Sequence, residues 1–366
     1  MYNKTTSTLP AQKLSKLRFH VVSLPHTQVT KEYINCAYTE KIRRFCNMMK
    51  SLGHTVYLYA GTENEANVDE LITCITEEDR VKSLDGKHFT QGSFNIHDAH
   101  WRSFNGKVIE EMNKRLKQKD FICLIGGTAH EPISDVFPSH MAVEYGIGYA
   151  GTFAKYRVFE SYAWMHSVYA MHKNPTHVDG NFYDAVINGY FDSEMFPLQT
   201  QKEDYYLYIG RLIDRKGWRI AQQVCEKLGK RLIVAGPGDF SGYGEYVGTV
   251  DAEQRAKLYG GAIATFVPTL YIEPFANVHV ESMACGTPVI TTDWGVFTET
   301  VEQGKTGFRC RSLKDFCNAT EDVKNLDPTY ISNQSHSKYS VDVIKYKYEE
   351  YFRRLETLWD DGFYTE

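Results

Sequence analysis

Twice along the 366 residues, short apolar runs alternate with amphipathic helical stretches, and no other feature constrains the fold as strongly. In the first round Arg18–Leu24, Thr55–Ala60, Leu71–Ile75 and Phe121–Ile125 read as buried strands. Tyr38, Ile42, Phe45, Met49 and Leu52 recur at helical spacing between them, with Gly53 as a stop, and a further helix falls near 104–116. The second round restarts at Tyr205–Ile209. It continues through helix Trp218–Leu228, strand Arg231–Ala235, helix Ala252–Tyr259, strand Ala262–Val267, helix Asn277–Cys285 and strand Pro288–Thr291. This predicts an α/β chain of two Rossmann-like, doubly wound domains with parallel sheets. The polar, proline-bearing stretch 191–204 is the predicted linker. The expected boundaries are a loose tail at 1–17, a first domain at 18–197, a second at 198–340, and a closing helix at 341–366 that packs back on the first domain. Ligands of such sheets bind beyond the carboxyl ends of the strands, so a cleft between two facing domains is expected.

Composition narrows the function classes. At 42% hydrophobic and 24% charged, the chain is too apolar to be disordered. A net charge of −5 argues against nucleic acid as the main partner, which asks for a basic face. The eight cysteines form no CxxC pair, which predicts free thiols in a reducing compartment and no zinc. No apolar run approaches the ~18 residues of a membrane span. The polar start, Met1 to Leu17, has no apolar signal core. A cytoplasmic protein is expected, and peripheral membrane contact is compatible with that.

The densest chemistry lies in the second round. Gly210 and Arg211 follow a strand, and Lys216 and Gly217 stand at the mouth of the next helix. A strand-to-helix turn offers free N–H groups, and two cations there can clamp a diphosphate. A solvated loop with ordinary surface charges is the alternative on this segment alone. Glu273 and Glu281 stand eight positions apart, about 12 Å if helical throughout, near the span from hexose to ribose in a nucleotide sugar. Glu281, inside the helix, can accept from two ribose hydroxyls. Glu273, before it, can reach sugar hydroxyls, while the N–H groups around Ala276 and Asn277, after Phe275, hold phosphates. Two unrelated surface acids are the alternative.

Taken together, Gly210-Arg211, Lys216-Gly217, the Glu273/Glu281 pair and the segment Gly286–Ile290 resemble the donor half of family-4 retaining glycosyltransferases of the GT-B fold. The resemblance is specific over about residues 205–310 and architectural elsewhere. It implies transfer of a sugar from a nucleotide-sugar donor to an acceptor hydroxyl, a glycan or glycoconjugate, with retention and no required metal or other cofactor. In that family Arg211 and Lys216 would bind the diphosphate, Glu273 the donor sugar and Glu281 the ribose. Ala276 departs from the pattern, since glycine often stands there. The loop at 25–35 lacks the glycine pair many such enzymes carry after strand one.

Gly236, Gly238, Tyr246 and Val250 are the candidates for holding the base, with two tight turns at strand ends as the alternative reading. His130 follows a strand directly and resembles the histidine that lies near the donor sugar in some family members. His97, Asp98, His100 and Glu144 are candidates on the acceptor side, as is Glu160. His97, Asp98 and His100 are also residue types that ligate metals, but no Asp-x-Asp pair or cysteine supports them. Two further classes fit the same pattern: a nucleotide-sugar epimerase or hydrolase of this fold, and a two-lobed sugar-binding protein without catalysis.

Overall fold

The computed structural model describes residues 15–34, 36–89, 98–171 and 179–361. The remainder of the expected tail, residues 1–14, lies outside them. In chain order the first elements are β1 (Arg18–Val22), α1 (Ala37–Ser51), β2 (Thr55–Ala60), β3 (Glu70–Thr73), α2 (Glu77–Ser83), α3 (Ala99–Asn113), β4 (Phe121–Leu124), α4 (Glu131–Val136), β5 (Met141–Ile147), β6 (Tyr156–Phe159), α5 (Tyr162–Met171) and β7 (Ala185–Val186). There follow β8 (Tyr206–Ile209), α6 (Trp218–Leu228), β9 (Leu232–Ala235), β10 (Glu245–Tyr246), α7 (Ala252–Gly261), β11 (Thr265–Val267), α8 (Asn277–Ala284), β12 (Val289–Thr292), α9 (Phe297–Thr300), β13 (Gly307–Cys310), α10 (Leu313–Asp322), α11 (Pro328–Tyr339) and α12 (Val341–Asp361). By compactness the chain divides into residues 1–123 with 137–141, and residues 124–136 with 142–366.

One sheet has seven strands in the order β3-β2-β1-β4-β5-β6-β7, the other six in the order β10-β9-β8-β11-β12-β13. Both orders are doubly wound: the chain steps outward one way from the first strand, then returns and steps outward the other way. Neighbouring strands of the second sheet all pair parallel. Alternation along β8 explains its two-sided burial. Leu207 and Ile209 enter one core with Val267, Val280 and Met283. Tyr206 and Tyr208 enter another with Trp218, Val224 and Phe266.

Two sequence expectations change. Leu17 is 4% exposed, and its carbonyl accepts from Thr55 N–H, so the ordered core begins inside the expected tail. The stretch 191–204 is not a simple linker, because Phe191 and Phe196 are buried in the core beneath the second sheet. The Phe191 carbonyl accepts from Val341 N–H at 2.9 Å. On α12, Tyr348 meets the rings of Tyr145 and Tyr190 edge-on, and Tyr351 donates to the Tyr183 carbonyl at 3.0 Å.

Under β1 and β4 lies a buried polar network. Asp120 accepts from Arg18 Nε at 2.8 Å, from His20 Nε2 at 2.9 Å and from Lys117 N–H at 2.9 Å. His20 Nδ1 meets the Tyr59 hydroxyl at 2.8 Å; burial lowers the ring's pKa, and the neutral ring with its proton on Nε2 suits both partners, since Asp120 can only accept. Burial pushes the Asp120 carboxyl up, but the hydrogen bonds from His20, Arg18 and Lys117 outweigh it and hold it below its ordinary range. Asp120→Asn keeps the shape and removes the charge. It should cost about 1.5–3 kcal/mol of stability in urea denaturation, the worth of hydrogen bonds to a charged group. A loss under about 0.5 kcal/mol would show that the network carries no stability.

Candidate active site

In the second sheet the winding reverses between β8 and β11. A reversal point is where loops diverge and leave a crevice at the carboxyl ends of the strands. The loop after β8 carries Gly210, Arg211 and the short 3-10 turn Asp214–Lys216, ending on Gly217 in the left-handed region at φ 71°. A Cβ on Gly217 would collide with the Pro268 carbonyl, so only glycine lets this loop close on the one after β11. Leu270 N–H donates to the Arg215 carbonyl at 2.9 Å and stitches the two loops together.

That stitching brings Lys216 onto Glu273. The Glu273 carboxylate is buried, 6% exposed, and both of its oxygens accept hydrogen bonds. Its Oε1 accepts from Lys216 Nζ and from the Tyr271 hydroxyl, the latter at 2.9 Å. Its Oε2 accepts from Thr269 Oγ1 at 2.9 Å, and Thr292 Oγ1 donates to the Thr269 carbonyl at 2.8 Å. The Arg215 guanidinium lies 3.8 Å above the Tyr271 ring, with Lys216 Nζ 5.3 Å from the same centroid. Burial and the Glu273 charge push the Tyr271 phenol well above its usual range, so it stays a donor. Arg211 is exposed and makes no salt bridge among the described residues, yet its charge is felt by the phenols of Tyr208 and Tyr271. Lys216 thus touches the carboxylate, while Arg215 and Arg211 act on the Tyr271 that helps to hold it, and the positive charge gathered in this loop is suited to an anion.

The sequence did not single out Thr269, Tyr271 or Arg215. The first two stand at alternate positions before Glu273, and residues two apart share a side of an extended chain. That spacing was the available signal.

The 12 Å helical span is corrected by the structure, since α8 begins only at Asn277. Pro274 and the left-handed Ala276, at φ 66° and ψ 74°, keep the segment from Glu273 irregular. Ala276 caps α8: its carbonyl takes the His279 N–H at 3.1 Å, and the N–H groups of Asn277 and Val278, ahead of it, have no acceptor within the helix. Further along, Glu281 is buried and accepts from the Tyr259 hydroxyl at 3.3 Å, with Arg255 Nε 3.6 Å away. Hydroxyls of α11 clip the helix in place: Ser335 donates to the Val280 carbonyl at 2.7 Å and Ser332 to that of Ala284 at 2.6 Å.

Residues 191–325 match the family model of glycosyl transferases group 1. The group 1 segment thus spans Arg211, Lys216, Glu273 and Glu281. An uncharacterised glycosyltransferase of Methanocaldococcus jannaschii is 31% identical over 122 residues, covering 29% of this chain and 31% of that protein. A glycogen synthase of Mycobacterium tuberculosis is 32% identical over 122 residues, 28% of this chain and 29% of its own. The chain thus spans under a third of the length of these two relatives. Among solved structures, a glycosyltransferase involved in avilamycin A biosynthesis superposes with a TM-score of 0.65 at 18% identity, covering 93% of this chain and 98% of the other. Anabaena HepE in complex with UDP and glucose gives 0.64 at 14% identity, covering 92% and 100%. The fold is the GT-B fold of these glycosyltransferases.

Within the group 1 segment, Gly210 N–H donates to the Ala235 carbonyl at 3.0 Å, which sets Gly210 against Gly236. Tyr246 donates to the Gly236 carbonyl at 2.9 Å, and its ring stacks on Phe240 with centroids 5.1 Å apart. Leu212 meets Gly238, and Val250 packs against the core. Phe275 is buried in that core, with Asn277 just beyond it at the start of α8.

Outside the segment the candidates are more dispersed. His130, expected to face a ligand, is wholly buried and turned back on its own turn, where Nδ1 accepts from Gly126 N–H at 3.1 Å. That bond leaves the neutral ring's proton on Nε2. Glu144 is buried in β5, and its carboxylate accepts from Phe153 and Ala154 N–H, both at 2.9 Å, and from the Tyr149 hydroxyl at 3.0 Å. Burial raises its pKa against those bonds, and the carboxylate is spent on holding its own loop. Glu160 is buried, and its carbonyl accepts from Asn188. Asp98 precedes α3 and His100 lies in its first turn, while His97 lies outside the described residues. Among the described residues no three His, Cys, Asp or Glu side chains converge as metal ligands, and no helix is long and apolar enough to cross a membrane.

Proposed function

We propose that the protein is a glycosyltransferase that moves a sugar from a nucleotide-sugar donor to an acceptor hydroxyl of a glycan or glycoconjugate, with retention and without a required metal. The carrying observation is the Glu273 carboxylate, held by Thr269 and Tyr271 between the cations of one loop and the start of α8. UDP-glucose is the first donor to try, because the structural neighbour HepE is known with it. In this reading the diphosphate displaces Lys216 from Glu273, and Lys216, Arg211 and the α8 N-terminus meet its charge. Glu273, still held by two hydroxyls, orients the sugar. Glu281 takes the ribose hydroxyls. The acceptor oxygen bonds to the anomeric carbon on the face the diphosphate leaves, the bond from that carbon to the phosphate oxygen breaks, and the acceptor proton passes to the departing diphosphate. His130 could offer only Nε2 to a donor hydroxyl. The eight free cysteines support action in a reducing compartment, the cytoplasm.

The test is product analysis. With UDP-glucose and a panel of glycan acceptors, UDP release should depend on acceptor, and NMR of the product should show an α linkage. EDTA should leave the rate unchanged. A β-linked product would overturn retention. Loss of activity with EDTA, restored by Mn²⁺ or Mg²⁺, would overturn metal independence. UDP release without any acceptor would favour a hydrolase.

A further inference from the structure

Among the described residues, Ala276 is one of three non-glycine residues with positive φ; the others are Asp85 and Lys119. An aspartate can bond its own backbone in this conformation, but alanine has nothing to offset the clash of its Cβ. Strain of this kind persists only where the surroundings over-determine it. Here one residue, His279, bonds the turn twice. The Ala276 carbonyl accepts from His279 N–H at 3.1 Å and again from His279 Nδ1 at 2.5 Å. The imidazole is 0% exposed and held between Phe275 and Phe297, with ring centroids at 5.2 and 5.5 Å. Its Nε2 is buried with no hydrogen-bond partner in the protein. A histidine that leaves one nitrogen bare in an apolar pocket is costly unless the other nitrogen serves.

We infer that His279 is the positioning residue that pins the left-handed Ala276 turn through its Nδ1–H and so aims the first N–H groups of α8 at the donor diphosphate. This rests on the nucleotide-sugar reading above. His279 touches no reacting atom. It replaces, by a side-chain bond, the conformational freedom that a glycine at 276 would have supplied.

A double-mutant cycle tests it. His279→Phe keeps the apolar ring and removes the donor. His279→Asn keeps an N–H near the Nδ1 position. Ala276→Gly removes the strain. Binding is read by calorimetry with UDP against uridine, or with GDP or ADP and their nucleosides where the wild type binds one of those more tightly. His279→Phe should weaken diphosphate binding about three- to tenfold and leave nucleoside binding unchanged, the worth of one hydrogen bond. His279→Asn should stay within about twofold of wild type. On the Ala276→Gly background, His279→Phe should likewise cost less than about twofold. An equal loss on both backgrounds, or a loss shared by the nucleoside, overturns the inference. If the single His279→Phe chain does not fold, His279→Asn and the Ala276→Gly double variant still decide. If the wild type binds no nucleoside diphosphate, the donor reading fails and this role with it. Melting temperatures of the same four chains then judge the turn alone, by whether the two substitutions couple.

Discussion

Glu273→Gln should lower the rate of sugar transfer by about 10²–10³, the usual cost of losing one charge-bearing group at a reaction centre, while affinity for the nucleoside diphosphate stays equal or rises. The opposite signs follow from the geometry. Without donor, Lys216 is tied to Glu273 Oε1, so a diphosphate must compete with the carboxylate for that ammonium. A neutral amide in place of the carboxylate holds Lys216 more weakly, because its one oxygen accepts without a charge and its other end only donates. Lys216 is then released toward the phosphates. The sugar loses its ionised acceptor at the same moment, and turnover falls. Steady-state rates with calorimetry of the diphosphate alone check both halves. A wild-type rate would remove Glu273 from the reaction. A parallel fall in diphosphate affinity would mean that the Lys216–Glu273 pair builds the phosphate site instead of competing with it.

Acidification from pH 6.5 to 4 should strip several kcal/mol from the fold before most carboxylates titrate. The two buried histidines lowered furthest carry most of this effect, with His20 and His100 shifted the same way. Burial, with the charges of His100 and Arg80, lowers His26 to about 4. Burial lowers His279 to about 4 against the pull of the Ala276 carbonyl and the Glu273 charge. In the unfolded chain both titrate near 6.5. Between those values the unfolded state binds up to two more protons than the folded one. Stability is therefore complete above pH 6.5 and declines as pH falls toward 4. Each group contributes about 3 kcal/mol over that window. Urea denaturation at pH 7, 5.5 and 4.5 measures the decline, and His279→Phe should remove about half of it. A flat profile down to pH 5 would show that neither ring is dry in the folded protein.

Helix and strand identity was legible wherever one period ran unbroken. Helix α6 carries Trp218, Ala221, Val224 and Cys225 on its buried face and has the expected bounds. Elements β5, β6 and α5 were not legible. In β5 the glutamate at 144 and glycine at 146 interrupt the apolar pattern of a strand. The strand tolerates Glu144 because two N–H groups and a hydroxyl from residues 149–154 satisfy its carboxylate, and these reach it only once the chain has turned. Phe191 and Phe196 misread as linker for a related reason. Polar neighbours mask two rings whose burial depends on α11 and α12 arriving from far along the chain.

At the candidate site, the order of motifs alone singled out Arg211, Lys216, Glu273 and Glu281 as candidates, because they sit at fixed offsets from strand ends and helix starts. Those offsets are local, and local spacing survives in a one-dimensional reading. Tertiary structure decided everything that depends on two loops meeting. Gly217 against Pro268 is what sets Lys216 on Glu273. The Tyr271 ring beneath Arg215, the doubly bonded Ala276 carbonyl and the bare Nε2 of His279 follow from packing around α8. A sequence names which groups can donate or accept. Whether a particular carboxylate is reached by a particular ammonium depends on sub-ångström positions set by close packing, and no spacing along the chain encodes them.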